Sequence, residues 1–345
     1  MSLKLKKLNE QVMVITGATS GIGLATARMA AEGGAHLVLA ARDADALDTL
    51  AHEMRQRGLD VASVTADVGN PADVARIGDT AMERFGRIDT WVNNAGISVY
   101  GRNEDVALDD MRRVMQTNFW GVVHGSLEAV KRMKGRGGGA IVNLGSEVSD
   151  RAVPLQGTYA ASKHAVKAFT ESLRMELDKE DAGISLTVIK PSAIATPFPD
   201  HARSYMEHEP ALPSPNYAPE LVAQAIVHAA QVPERDVYVG GHSKVTSVAG
   251  YLMPRAVDRF MRRTMFSQQQ SDRPNSSARR DALYAPDADR ELRQRNDREH
   301  HVVERSPYMS FEMRSAPTKT VLLGGALLAA WALTRKPWQR NAWHA

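Results

Sequence analysis

The sequence predicts a doubly wound α/β fold with a parallel central sheet, and three observations point to it. From Val12 to about Val239, short apolar runs alternate with longer helical patterns. The first apolar run feeds a glycine-rich turn that opens a helix. Glycines at 33–34, 58 and 135–139 stand where helices must stop and turns must form. Alternation of this kind buries a sheet under helices on both faces.

The elements follow in order. Apolar runs at 12–16, 36–41, 61–65, 90–93, 140–144, 185–190 and 236–239 read as strands. Helical patterns lie near 21–33, 43–57, 71–85, 108–133, 157–180 and 219–231. Residues 196–219 carry six prolines and little periodicity, so they read as an inserted loop of the length that often forms a lid.

Beyond Lys244 the character changes. Val248, Tyr251, Leu252, Ala256, Phe260 and Met261 make an apolar stripe beside several arginines, with Pro254 placed to kink it or to start a second helix. Residues 267–314 are polar and proline-dotted, an extended or partly disordered arm by composition. An uncharged run follows at 320–333, flanked by Lys319 and Arg335. The expected organisation is a catalytic unit at 1–245, an extension at 246–315 and a hydrophobic tail at 316–345.

Composition excludes some chemistry. Net charge is +3 with 24% charged residues, which implies no nucleic-acid partner. The chain has no cysteine, so disulfides, thiolate metal sites and cysteine nucleophiles are ruled out. None of the histidines shows metal-ligand spacing, and no catalytic metal is expected. The basic N-terminus lacks the long apolar stretch of a cleaved signal, so a cytoplasmic location is expected.

Three motifs carry chemistry. After the first strand comes Gly17-Ala-Thr-Ser-Gly21-Ile-Gly23, leading into a helix. A strand, a glycine turn and a helix N-terminus together cradle a dinucleotide pyrophosphate. Next, Asn93-Asn94-Ala95-Gly96 closes the fourth strand, at the sheet edge where such folds bind ligands. Finally, Tyr159 and Lys163 lie four residues apart, on one face of a helix. There the ammonium would lower the phenol's pKa and ready it for proton transfer. A lone Tyr-Lys pair is usually only a solvated helix face. Its company makes the difference.

The sequences TGATSGIG at 16–23, NNAG at 93–96, Asn118 in MQTNFWG, Ser146 and the Tyr159-x-x-x-Lys163 pair resemble the short-chain dehydrogenase/reductase superfamily in order and spacing. The resemblance spans roughly 9–245 and implies a Rossmann fold. It also implies Tyr159 as acid/base, Ser146 as the group orienting the substrate oxygen, Lys163 as partner of both Tyr159 and the nicotinamide ribose, and Asn118 in a proton relay. Cofactor contacts are implied at Gly17, Thr19, Ser20, Gly21, Ile22 and Gly23 of the turn. Further contacts are implied at Arg42, Asp67, Val68, Asn94, Ala95, Gly96, Pro191, Ile194 and Thr196. Two departures stand out: Pro191-Ser192 where Pro-Gly is usual, and Gly145-Ser146 where Ser-Ser is common.

Cofactor choice is read at Ala41-Arg42-Asp43. Relatives that use NAD carry an acid where Ala41 stands, which would repel a 2′-phosphate. Here that acid is missing and Arg42 can pair with phosphate. NADP(H) is therefore expected over NAD(H), the alternative being that Arg42 points to solvent while Asp43 takes the ribose.

The resulting expectation is an oxidoreductase moving hydride between NADP(H) and a carbonyl or secondary alcohol, with lipophilic compounds among the substrate classes, working as a homo-oligomer. The alternative is a non-catalytic nucleotide-binding sensor or scaffold. As a helix the 320–333 run spans only ~21 Å against ~30 Å of hydrocarbon. Extended back to Ala316 it reaches ~27 Å, and attachment to a membrane through this tail is expected.

Overall fold

In the computed structural model, which describes residues 3–276, 279–286, 292–296 and 302–313, seven strands form one sheet. They are β1 (Val12–Thr16), β2 (His36–Ala41), β3 (Val61–Thr65), β4 (Thr90–Asn93), β5 (Gly139–Leu144), β6 (Ile184–Pro191) and β7 (Asp236–Val239). Their order is β3-β2-β1-β4-β5-β6-β7, with every pairing parallel. This is the doubly wound Rossmann-type sheet expected from the sequence. The winding reverses between β1 and β4, so the loops after these strands part and leave a crevice at their carboxyl ends.

Strand residues alternate between two cores. Met13, Ile15, Leu37 and Leu39 face helices α1 (Gly21–Glu32), α2 (Ala44–Gln56) and α7 (Pro219–Ala229). Val12, Val14, Val38 and Trp91 face α3 (Pro71–Phe85), α5 (Gly121–Met133) and α6 (Gly157–Lys179). Both faces being covered, the strands read as unbroken apolar runs. Each fully buried leucine or isoleucine among them is worth about 1.5–3 kcal/mol.

Helix ends follow local chemistry. Asn70 caps α3 by accepting from Ala72 N at 3.1 Å, with Pro71 in the first turn. Asp43 caps α2 by accepting from Ala46 N at 3.0 Å. The long 108–133 pattern is not one regular helix. α4 (Leu108–Met115) passes through a π-helical turn at Gln116–Trp120 before α5 begins. Asn118 sits in that turn, its side chain bonded to backbone outside the helix.

The extension has more contacts than its composition foretold. Its apolar stripe is two helices, α8 (Gly241–Leu252) and α9 (Pro254–Gln268), broken at Pro254. The described parts of the polar arm hold two short strands and a short helix at Pro307–Glu312, and they lie against the rest of the chain. Gln270–Pro274 pairs antiparallel with His208–Pro210, and Val302–Val303 pairs parallel with Asn216–Tyr217. Leu283 is fully buried among Ile97, Val99 and Val114. Polar composition hid this because the arm is held mainly by backbone ladders and side-chain bonds to carbonyls. Among the described residues no helix is long and apolar enough to cross a membrane; the 316–345 tail lies outside them.

Candidate active site

The crevice holds the residues that the motifs single out. The Gly17 turn adopts φ of +66°, and a Cβ there would meet the Ala95 Cα at 2.9 Å. Gly23 is a packing glycine: a Cβ would fall 2.0 Å from the Gly17 carbonyl oxygen. The turn is tied to the end of β4, since Asn94 Nδ2 donates to the carbonyls of Thr16 and Gly17 at 2.9 and 3.1 Å. Thr16 Oγ1 accepts from the backbone N–H groups of Asn94 and Ala95. Beneath, Asn93 is buried and donates to Asn143 and Ser126 on neighbouring elements. NNAG is thus a clamp between β1 and β4 as well as a cleft wall.

A cavity of about 470 Å³ lies over the carboxyl ends of β4, β5 and β6. Ser146, Tyr159 and Lys163 all line it. Ser146 follows β5 and caps the short helical turn Glu147–Ser149, its Oγ accepting from Val148 N at 3.3 Å. That acceptance leaves the serine's own proton free to donate, and the Ser146 hydroxyl stands near enough to the Tyr159 phenol to favour its ionised form. Gly145 is explained by space: a Cβ there would press on Val188 Cγ1 at 2.9 Å, leaving no room for the commoner serine. Ser192 takes no left-handed backbone; among the described non-glycine residues only Leu155 and Asp181 do. Its hydroxyl donates to Glu147 Oε2 at 3.1 Å instead.

The electrostatics correct one expectation. Burial pushes the Tyr159 phenol above its ordinary value; the Ser146 hydrogen bond opposes this, and the Glu147 carboxylate adds to it. The Lys163 ammonium makes no hydrogen bond to the phenol oxygen. The ammonium Nζ lies 5.7 Å from the Tyr159 ring centroid and donates to the Leu144 carbonyl at 2.6 Å. Burial also brings Lys163 itself down to about 8. Helical spacing did put both groups on one face, but the lysine reaches past the phenol to the end of β5.

Asn118 is fully buried and does not face water. Its Oδ1 accepts from Ile97 N at 2.9 Å, while Nδ2 donates to the Ile97 carbonyl and to Ser162 Oγ. It therefore locks the segment after NNAG to α6, the helix that carries Tyr159.

A second cavity of about 130 Å³ continues the cleft past the glycine turn, sharing Gly17, Ser20, Ala95 and Gly96 with the first. Thr19, Arg42, Asp67 and Val68 line it. Gly21, Ile22, Pro191, Ile194 and Thr196 border the first. Of the expected cofactor residues only Gly23 borders neither. Asp67 accepts from Gly69 N and pairs with Arg113 at 2.6 Å. Arg42 does not point to solvent: its guanidinium donates to the carbonyls of Ala282 and Leu283 at 2.5 and 3.2 Å.

A dinucleotide suits this cleft by its donor set. The turn opens α1, Arg42 stands at its far end, and the buried Thr117 hydroxyl bordering the second cavity has no hydrogen-bond partner among the described residues.

Sequence reading missed several wall residues. Glu147 pairs with His242 of α8 at 3.5 Å, raising the imidazole above its ordinary value through the hydrogen bond to that carboxylate. Phe198 stacks obliquely on Tyr159 at 5.4 Å. Phe260, Met261 and Met265 of α9 close the far side. A carboxylate next to the singled-out Ser146 and the lid reading of 196–219 were cues to Glu147 and Phe198; the apolar stripe holding Phe260 and Met261 gave no sign that it faced the site.

Comparison with known proteins agrees with this geometry. The family model described as short chain dehydrogenase matches residues 11–206. The chain belongs to the short-chain dehydrogenase family. An uncharacterized oxidoreductase YxnA of Bacillus subtilis (strain 168) is 47% identical over 336 residues, covering 97% of this chain and 93% of that one. A short-chain dehydrogenase/reductase from Burkholderia phymatum, solved in complex with NAD, superposes with a TM-score of 0.63 at 27% identity, over 79% of this chain and all of that one. An alcohol dehydrogenase from the archaeon Thermococcus sibiricus, solved with 5-hydroxy-NADP, gives a TM-score of 0.59 at 28% identity, over 66% and 95%. This short-chain dehydrogenase is accordingly an oxidoreductase, and a nicotinamide cofactor fits its fold.

Proposed function

We propose that the protein transfers hydride between NADP(H) and a carbonyl or secondary alcohol, with Tyr159 as the acid/base. The reading is carried by Ser146, Tyr159 and Lys163 lining one cavity that runs into the glycine-turn cleft. When bound, the cofactor supplies or accepts the hydride. The turn at 17–23 and the N-terminus of α1 bind its phosphates, and Arg42 at the far end of the cleft favours the 2′-phosphate.

Ser146, its oxygen already accepting from Val148, donates its proton toward the substrate oxygen. Tyr159 donates the second hydrogen bond and passes its proton to the developing alkoxide. A phenol raised by burial is held protonated at neutral pH, the form needed for carbonyl reduction. Lys163 anchors the end of β5 and keeps a cation under the site. Phe198 and the α9 side chains exclude water, and their apolar character favours a lipophilic substrate body.

The test is absorbance loss of NADPH with purified protein and a panel of aliphatic, aromatic and lipid carbonyls. Turnover of any panel member supports the reading. Tight nucleotide binding with no turnover across the panel would instead favour a non-catalytic sensor.

A further inference from the structure

The family match ends at residue 206, yet chain from well beyond that point lies on the cofactor cleft. Stretches 279–286 and 292–296 are fastened along it at several points. Leu283 is buried between the β4 loop and α4, and its carbonyl accepts from both Arg42 and Arg113. Tyr284 donates to the buried Asp110 at 2.9 Å. Gln294 accepts from Arg28 of α1 at 2.6 Å. Arg295 forms a fork on Glu220 of α7 and on Glu304.

Between these anchors, the carbonyl of Arg293 accepts from Gly21 N at 2.9 Å, setting residue 293 directly against the glycine turn. Its side chain borders the second cavity together with Gly17, Thr19 and Ser20 of the turn and Ala282 and Pro286 of the arm. The buried Asp200 carboxylate, 3.8 Å from the guanidinium, holds it at that rim. The turn itself, residues 17–23, carries no charged side chain. Arg293 thus brings a cation to the uncharged end of the cleft, as Arg42 does at the other.

We propose that the C-terminal arm completes the cofactor site as its outer wall, with Arg293 contacting the pyrophosphate. The inference rests on the nicotinamide-cofactor reading above, and it adds a binding residue outside the matched family region. A pyrophosphate is common to NADPH and NADH, whereas only NADPH carries the 2′-phosphate. Arg293 should therefore act on both cofactors alike, and Arg42 on one.

The test uses full-length protein titrated with NADPH and with NADH, followed by the cofactor's own fluorescence, with a thermal melt as the folding control. Loss of one charge-assisted contact in Arg293→Gln should weaken both cofactors by about tenfold or more. Arg293→Lys should recover most of the loss. Hydrogen exchange on the wild-type protein, which needs no variant, should slow at 281–286 and 292–295 when NADPH is added. Unchanged or tighter binding in a folded Arg293→Gln, or an arm indifferent to NADPH, overturns the proposal while leaving the function intact. A wild-type protein that binds neither cofactor overturns both.

Discussion

At the scale of single residues, this site depends on where hydrogens point and on which charges are buried. Tyr159 sits under Phe198 and is raised by burial, so its proton is available but costly to remove. Tyr159→Phe removes that proton and leaves the ring packing in place. Turnover is expected to fall at least about a hundredfold, the scale of a lost general acid, with NADPH affinity nearly unchanged. Steady-state rates beside a fluorescence titration check this, and appreciable residual turnover would remove Tyr159 from the role. Arg42 tests cofactor choice. Its guanidinium is already held by arm carbonyls at the edge of the second cavity, so it needs little reorganisation to meet a phosphate. Arg42→Ala should weaken NADPH by about tenfold or more while NADH changes little. Equal losses would count against NADP(H) preference.

At the scale of elements, Asp150 is the joint that fixes the cavity wall. It follows the Ser146 turn and accepts from Lys167 of α6 at 2.5 Å, Tyr238 of β7 at 2.9 Å and Ser247 of α8 at 2.9 Å. Lys190 of β6 lies 3.3 Å away. Burial works to raise this carboxyl, but Lys167, Lys190, Ser247 and Tyr238 together bring it down to about 2. A depressed acid contributes stability that is fully present above its unfolded value of about 3.9 and is lost as pH falls through the folded value. Asp150→Asn should cost about 2 kcal/mol at pH 7, because Lys167 and Lys190 lose a shared carboxylate while Asp236, 3.4 Å from Lys190, still faces that buried ammonium. The deficit should shrink between pH 4 and pH 2. Urea melts across that range would expose a deficit that does not depend on pH, which would mean that the charge is not the cause.

At the scale of the whole molecule, large apolar side chains remain uncovered. Leu108, Trp120, Leu127 and Met175 are between 47% and 66% exposed, and all stand on the α4–α6 side. A second copy of the chain is the expected cover, and sedimentation should return a multiple of 37.7 kDa. The double variant Trp120→Glu, Leu127→Glu should sediment as a single chain, since two carboxylates cannot be buried unpaired across a symmetric face. A wild-type protein that already runs at the single-chain mass would defeat the expectation.

The amino-acid sequence by itself determined the sheet and the candidate site residues. Seven strands could be read because most of their residues are apolar, and the glycine turn, NNAG and the Tyr159–Lys163 spacing are local patterns whose chemistry lies within a few residues. Charge partners were another matter. That Lys163 reaches Leu144 rather than the phenol depends on the placement of β5, nineteen or more residues upstream, and not on helical spacing. Asn118 is singled out by the family resemblance, but its bond to Ile97 needs the β4 loop folded against the π-helical turn. The arm was the least legible part. Its contacts with Gly21, Arg42 and Arg113 are mostly carbonyls meeting cations and N–H groups, and a backbone carbonyl belongs to every residue type. Only the tertiary structure decides which of them a distant guanidinium will find.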